Sequence, residues 1–318
     1  MTLRVAVLGA GAVGSYYGAR LADGGADVAL IARGRHLEAL RANGLTVVEP
    51  ERTTTYRLQA TGDPAEIGPV DIVLFCVKSY DTAAAAAKLG PLLHDTTGVL
   101  SLQNGIDNEE IIAAAIGAEH VIGGAAYILG SIVEPGVIDA AGPRRIVIGE
   151  LGGGAVTPRI RAILDVAERA GLGVEALDDV RVAKWEKYTL LVAFSAMTAT
   201  TRLPIGDIRD APAARAMLGA IMTEVWSVGR ATGVPLADDL VERQMRLLLS
   251  QADASTTSLY HDLVSGHRLE VEALQGAAMR LGRAHGVPTP NIDAAYAILQ
   301  PWAIRHERPI DDRAPIAT

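Results

Sequence analysis

The sequence predicts an α/β domain on a parallel sheet followed by an all-helical domain, and three observations carry that prediction. Apolar strand-like runs alternate with helical patterns through the first half of the chain. A glycine-rich turn follows the first of those runs, and beyond Val180 strand patterns give way to long helical ones. Alternation of this kind gives a sheet covered by helices on its faces. The length, 318 residues, suits two domains better than one. We place the first at residues 1–178 and the second at 179–318.

Taken in order, the strand candidates are Arg4–Leu8, Asp27–Ile31, Ile72–Val77, Gly98–Leu102 and His120–Gly123, with helical stretches such as Gly14–Asp23 and Thr82–Leu92 between them. Two further β-prone pieces, Ile128–Ile138 and Arg145–Ile148, are joined through Pro135-Gly136 and Gly142-Pro143 and read as a hairpin-type extension of the sheet. Leu151–Gly154 reads as a loop. Thr157 then offers an N-cap and Pro158 a first helical position, and Gly173–Leu177 is the last strand. In the second domain Val180–Ala199, Pro212–Thr232, Asp238–Ser250, Glu270–His285 and Asn291–Leu299 have helical patterns, punctuated by Gly233-Val234-Pro235 and Gly286-Val287-Pro288. The tail Arg305–Thr318 is polar and proline-containing, and no regular structure is expected there.

The turn itself is Gly9-Ala10-Gly11-Ala12-Val13-Gly14, a G-x-G-x-x-G placed between a buried strand and a helix start. In that context it is the mark of a dinucleotide site. Gly9 permits the tight turn, Gly11 lets the backbone approach a pyrophosphate, and Gly14 lets the helix pack against the strand. Ala12 and Val13 open the helix, whose free N–H groups and positive dipole end suit phosphate. Arg33 stands 19 residues after Gly14, where an acidic residue would accept from the ribose hydroxyl of NAD. A guanidinium there matches a 2′-phosphate instead, so NADPH is the expected cofactor. A flavin is disfavoured by the same residue.

Composition bounds the rest. The chain is 49% hydrophobic with a mean hydropathy of +0.23, enough for substantial cores. Its net charge of −8 argues against a nucleic-acid partner. A single cysteine, Cys76, excludes a disulfide framework and sits in an apolar run as core filler. The seven histidines lack metal-ligand spacing, so no metal is expected. No run of about 20 apolar residues suits a membrane span, and no signal-peptide layout is read at the N-terminus. A cytoplasmic protein is the expectation.

Two further motifs fall at strand ends, Val77-Lys78-Ser79 and Gln103-Asn104-Gly105, where open α/β sheets bind their ligands. In the helical half, Lys187 leads the apolar stretch Thr189–Thr201, and Ser258, Asp262 and Glu270 come later. In this order, with Glu270 12 positions after Ser258, the whole set resembles the ketopantoate reductase family (2-dehydropantoate 2-reductases) over essentially the full length. The resemblance implies a Rossmann domain followed by a helical domain like that of 6-phosphogluconate dehydrogenase. It also implies NADPH-dependent reduction of the 2-oxo acid 2-dehydropantoate to pantoate, in pantothenate biosynthesis. On the same basis Lys187 is the general acid, Glu270 orients substrate and assists it, and Ser258 contacts substrate. Asn104 holds the nicotinamide ribose and substrate, with Lys78 on the cofactor side. The chemistry agrees, because hydride addition builds negative charge on a keto oxygen that a positioned ammonium can stabilise and protonate.

The chain departs from the family at three positions. Asparagines stand four and eight residues after the lysine in the best-known members, where this chain has Leu191 and Ser195. Ser255 likewise replaces an asparagine. Polar readout of a substrate hydroxyl discriminates strongly, so another branched or bulky 2-oxo acid or ketone is the alternative substrate. A non-catalytic NADP-binding sensor is a second alternative. The Ala- and Leu-rich helices suit a homodimer.

Overall fold

The computed structural model describes residues 2–154 and 156–307. It divides into two compact units, Met1–Ala183 and Lys184–Thr318. The first contains β1 (Arg4–Leu8), α1 (Ala12–Asp23), β2 (Asp27–Ile31), α2 (Gly34–Asn43), β3 (Leu45–Val48), β4 (Thr53–Tyr56), β5 (Gln59–Thr61) and β6 (Ile72–Phe75). It continues with α3 (Thr82–Ala86), β7 (Gly98–Ser101), α4 (Asn108–Ile116), β8 (Val121–Glu134), β9 (Val137–Glu150), α5 (Pro158–Ala170) and β10 (Gly173–Ala176). All ten strands form one sheet, ordered β4-β3-β9-β8-β7-β6-β1-β2-β5, with β10 paired to β9.

The register of this sheet creates the functional edge. Leu8 lies opposite Ile31 on β2 and opposite Phe75 on β6, and Phe75 lies opposite Ser101 on β7. The four parallel strands therefore end in one row. The residues just beyond their ends, Gly9, Ala32–Arg33, Cys76–Lys78 and Leu102–Asn104, emerge along a single carboxyl edge, where ligands of open α/β sheets bind. The central strands are apolar along their length because both faces are covered. Val5, Val7, Ile72, Leu74 and Leu100 pack towards α1 and α5, while Ala6, Val73, Phe75 and Val99 pack towards α3 and α4.

Several sequence expectations are revised. The pieces read as Ile128–Ile138 and Arg145–Ile148 belong to two 14-residue antiparallel strands, β8 and β9, that turn at Pro135-Gly136. Pro143 does not break β9, because the register slips there: Tyr127 faces Arg145 but Leu129 faces Ala141. The bulge between them holds Gly142 (φ 77°) and Arg144 (φ 51°), and a proline in a bulge forfeits no ladder bond. The expected helix Thr82–Leu92 ends at Ala86 and resumes as a 3₁₀ turn, Gly90–Leu92, which Pro91, having no N–H to donate, enters in its first turn. Strands β3 to β5 were not legible. They are short, and Thr53–Tyr56 exposes polar residues at the sheet edge. As expected, Thr157 caps α5: its side chain accepts from the Ile160 N–H.

The second unit is helical. α6 (Val180–Thr201) starts in the first unit and continues into it, followed by α7 (Ile205–Asp210), α8 (Pro212–Ala231), α9 (Leu240–Leu249) and α10 (Ser258–Val264). A π-helical turn (Glu272–Gly276), α11 (Ala277–Ala284) and α12 (Pro290–Glu307) complete it. The expected helix Glu270–His285 is thus a π turn leading into an α-helix. Arg305–Glu307, expected to lie in the tail, belong to α12, and 308–318 lie outside the described residues. Gly229 lets α8 cross α6 closely: a Cβ there would lie 2.7 Å from Trp185. The buried Glu224 carboxylate accepts the Asn291 and Ile292 N–H groups at 3.0 and 2.9 Å, a negative charge on the positive end of α12. No helix among the described residues is long and apolar enough to cross a membrane.

Candidate active site

The glycine-rich turn is shaped by two demands that can be separated. Gly9 has φ +96°, and a Cβ on it would sit 2.7 Å from the Val77 nitrogen. At Gly14 a Cβ would lie 2.5 Å from the Gly9 oxygen and 2.8 Å from a Val7 methyl. Both glycines are therefore required by the protein's own packing. Gly11 is different: a Cβ there meets no protein atom within 4 Å, and its φ of −77° is ordinary. Its lack of a side chain leaves room at the start of α1. Ala12 and Val13 open that helix, whose N-terminus is capped by no side chain and has no acidic residue in its first turn. These residues fit the pyrophosphate of a dinucleotide. We expect Gly11→Ala to fold with wild-type stability yet raise the cofactor Kd about tenfold or more, and Gly14→Ala to lower Tm. Calorimetry and thermal melts of the two variants check this; equal cofactor affinity in Gly11→Ala would refute the assignment.

Arg33 sits at the N-cap of α2 with its side chain 89% exposed, and its guanidinium donates to the Asp81 carboxylate at 2.7 Å. Lys78 precedes the 3₁₀ turn Ser79–Asp81 at the end of β6. The Asn104 carbonyl accepts from the Asn108 side chain, and Gly105 after it has φ 109°. Gln103 proves to be a brace: its buried amide donates to the Val77 carbonyl (2.9 Å) and the Thr82 hydroxyl (2.8 Å), tying the ends of β6 and β7. Cys76 lies beneath the turn, where burial pushes its thiol up to about 12, so it is no nucleophile. Among the described residues no His, Cys, Asp or Glu cluster could hold a metal.

In the second unit, α6 carries two lysines, Lys184 and Lys187. Burial pulls the Lys187 ammonium down to about 8, from an ordinary 10.5; the positive charge of Lys184 adds to the shift and Glu270 opposes it. Lys184, buried one turn earlier on the same helix face, is a contributor the sequence reading missed; the i, i+3 spacing of two lysines was the signal. Glu270 is buried just before the π turn, a feature that recurs at functional sites. The Tyr188 hydroxyl, next to Lys187, donates to the Leu274 carbonyl inside that turn.

The remaining expected residues divide between the helix interior and the surface. Leu191 is half-buried on α6. Ser195 is fully buried: its hydroxyl donates to the Val192 carbonyl at 3.2 Å and accepts from the Gln275 amide at 3.0 Å. Gln275, also unanticipated, ties the π turn to α6. Ser258 is exposed at the first position of α10; its neighbour Thr257 caps that helix and pairs with Thr198 at 3.1 Å.

The glycine-rich turn of the first unit and the partly buried lysine of the second, drawn down to about 8 and acted on by a carboxylate, are each features found in oxidoreductases of the nicotinamide-dependent class. The chain belongs to the ketopantoate reductase family. The family profile described as ketopantoate reductase PanE/ApbA matches residues 5–153, and that of its C-terminal part matches 179–303. The chain is 34% identical over 292 residues to a 2-dehydropantoate 2-reductase of Halobacterium salinarum, covering 91% of this chain and 95% of that one. It superposes on a PanE/ApbA family ketopantoate reductase of Ralstonia eutropha with a TM-score of 0.89, at 34% identity, covering 96% of this chain and 100% of that one. A 2-dehydropantoate 2-reductase of Geobacter metallireducens gives a TM-score of 0.89 at 32% identity, covering 94% and 99%. The α/β Rossmann domain and helical domain implied by the sequence are the fold observed.

Proposed function

We propose that the protein reduces 2-dehydropantoate to pantoate with NADPH, the reductive step of pantothenate biosynthesis. The observation that carries this reading is the partly buried lysine on α6, drawn down to a pKa of about 8 by desolvation with a carboxylate acting on it. Gly9, Gly11, Ala12, Val13 and Gly14 would hold the pyrophosphate, Arg33 the 2′-phosphate, and Lys78 and Asn104 the cofactor further along the sheet edge. When bound, the reduced nicotinamide supplies a hydride to the substrate's keto carbon. Lys187 stabilises the developing oxyanion and gives it a proton; an acid with a pKa near the operating pH suits that transfer. Glu270 keeps Lys187 protonated and helps orient the substrate, with Ser258 as a further substrate contact. Burying an ammonium is costly, which favours an enzyme over a sensor that merely binds the cofactor.

A second substrate reading has its own support. Leu191 cannot form hydrogen bonds, and the Ser195 hydroxyl is already engaged with Val192 and Gln275. This arrangement favours a bulkier, more apolar 2-oxo acid. The reading also places the enzyme in the cytoplasm and pairs two copies through the helical unit. The exposed apolar stripe Ala294, Ala297, Ile298, Pro301 and Ile304 on α12 supports the pairing. Oxidation of NADPH and of NADH, followed by nicotinamide absorbance across a panel of 2-oxo acids, tests the assignment. The highest kcat/KM is expected for 2-dehydropantoate with NADPH. Turnover of a bulkier acid instead would select the second reading, and no turnover of any would defeat both.

A further inference from the structure

The ion pair between Arg33 and Asp81 has a position that the cofactor reading does not by itself require. Arg33 follows β2 and Asp81 follows β6, and these strands flank β1 in the sheet. The 2.7 Å contact therefore spans the carboxyl end of β1, where the glycine-rich turn begins. The two partners are unequally fixed. Asp81 closes a 3₁₀ turn pinned from behind: the Thr82 hydroxyl donates to the Ser79 carbonyl at 2.8 Å and accepts from the braced Gln103 amide at 2.8 Å. The Asp81 side chain is 27% exposed and that of Arg33 89%. The carboxylate is the anchored member and the guanidinium the one free to swing.

We propose that Asp81 is a specificity-determining residue of the cofactor site, holding Arg33 in the cofactor-free protein and opposing a 2′-phosphate, so that it sets the margin between NADPH and NADH. This rests on the reading of Arg33 as the 2′-phosphate partner. An ion pair this exposed is weak and readily exchanged. A 2′-phosphate offers a guanidinium a fork of charged acceptors and more than one negative charge, so it takes Arg33 over. The anchored carboxylate then stays near the phosphate as a like charge. The ribose hydroxyl of NADH meets no such repulsion and can donate to a carboxylate. Asp81 thus narrows the preference for NADPH that Arg33 creates, and it keeps Arg33 poised near the phosphate position.

The test is calorimetric titration of NADPH and NADH into the full-length wild type, Asp81→Asn, Asp81→Glu and Arg33→Ala, at low and high salt. Asp81→Asn, which keeps the size and loses the charge, is expected to tighten NADPH about three- to tenfold at low salt. It should leave NADH within about twofold or slightly weaker, and the gain should shrink at high salt. Asp81→Glu, which keeps the charge, is expected to keep the wild-type ratio. An NADPH Kd in Asp81→Asn that is unchanged or weaker, or a tightening shared equally by NADH, would overturn the proposal. The underlying reading fails separately: if Arg33→Ala leaves the NADPH Kd unchanged, Arg33 does not hold the phosphate. If Arg33→Ala weakens NADPH selectively while Asp81→Asn tightens nothing, only the role of Asp81 falls.

Discussion

Replacing Lys187 with alanine is expected to lower kcat by about two orders of magnitude or more while leaving the cofactor Kd unchanged. On the proposed reading the variant removes the proton donor and leaves the glycine-rich turn untouched. The wild-type pH profile supplies a second reading of the same residue. The acid must carry its proton to act, so kcat is expected to hold below about pH 8 and to fall above it, because Lys187 titrates there. An unburied lysine would place that fall near its ordinary value of 10.5. The pKa is also a statement about stability, and linkage gives its sign. The folded-state pKa lies below the unfolded one, so between about pH 8 and 10.5 the unfolded chain binds more protons and stability rises with pH. Below about pH 8 the cost of the buried ammonium is present in full, on the order of 3 kcal/mol. Lys187→Met, which keeps the bulk and removes the charge, is therefore expected to be inactive and more stable at neutral pH. The gain in Tm should vanish above pH 10.5. Activity and stability moving together in this variant, both lost, would mean that Lys187 is a structural residue.

That opposition between local cost and chemical use explains which parts of the molecule could be read in the sequence. The glycine turn was legible from its spacing after a strand, although the demands behind it differ: Gly14 faces the nearby Gly9 oxygen and Val7, Gly9 faces the distant Val77, and Gly11 faces open space. The strands of the sheet centre were legible because both of their faces are buried, which makes them continuous apolar runs. β8 and β9 were only half legible. Their outer halves are exposed, and a bulge absorbs Pro143, which looks like a breaker until the partner strand is seen. Lys187, Ser258 and Glu270 point to chemistry in the sequence only as a set in order, since each alone passes for a cap or surface charge, and their roles stay part of the proposed function. What sequence could not show is where their neighbours come from. Gln275 matters because a π turn aims it at Ser195, 80 residues away in the chain. The Arg33–Asp81 pair joins residues 48 apart in the chain, brought together only by the order of β6, β1 and β2.

The Glu270→Gln variant separates the role of the carboxylate from that of the lysine. Glu270 raises the pKa of Lys187 against burial and against Lys184. Glutamine keeps the size and removes the charge, so the ammonium loses its opposing influence and its pKa falls further. The alkaline limb of the kcat profile is then expected to move to lower pH. At neutral pH kcat should drop by roughly ten- to a hundredfold, because a smaller fraction of the enzyme carries the proton and the substrate is less well oriented. Part of the activity should return as the pH is lowered, since Lys187 can still be protonated; Lys187→Ala should show no such recovery at any pH. The cofactor Kd is expected to stay at the wild-type value in both. A limb that remains near pH 8 in Glu270→Gln would show that the carboxylate does not act through the lysine. A loss of kcat that persists at low pH would leave orientation of the substrate as its whole contribution.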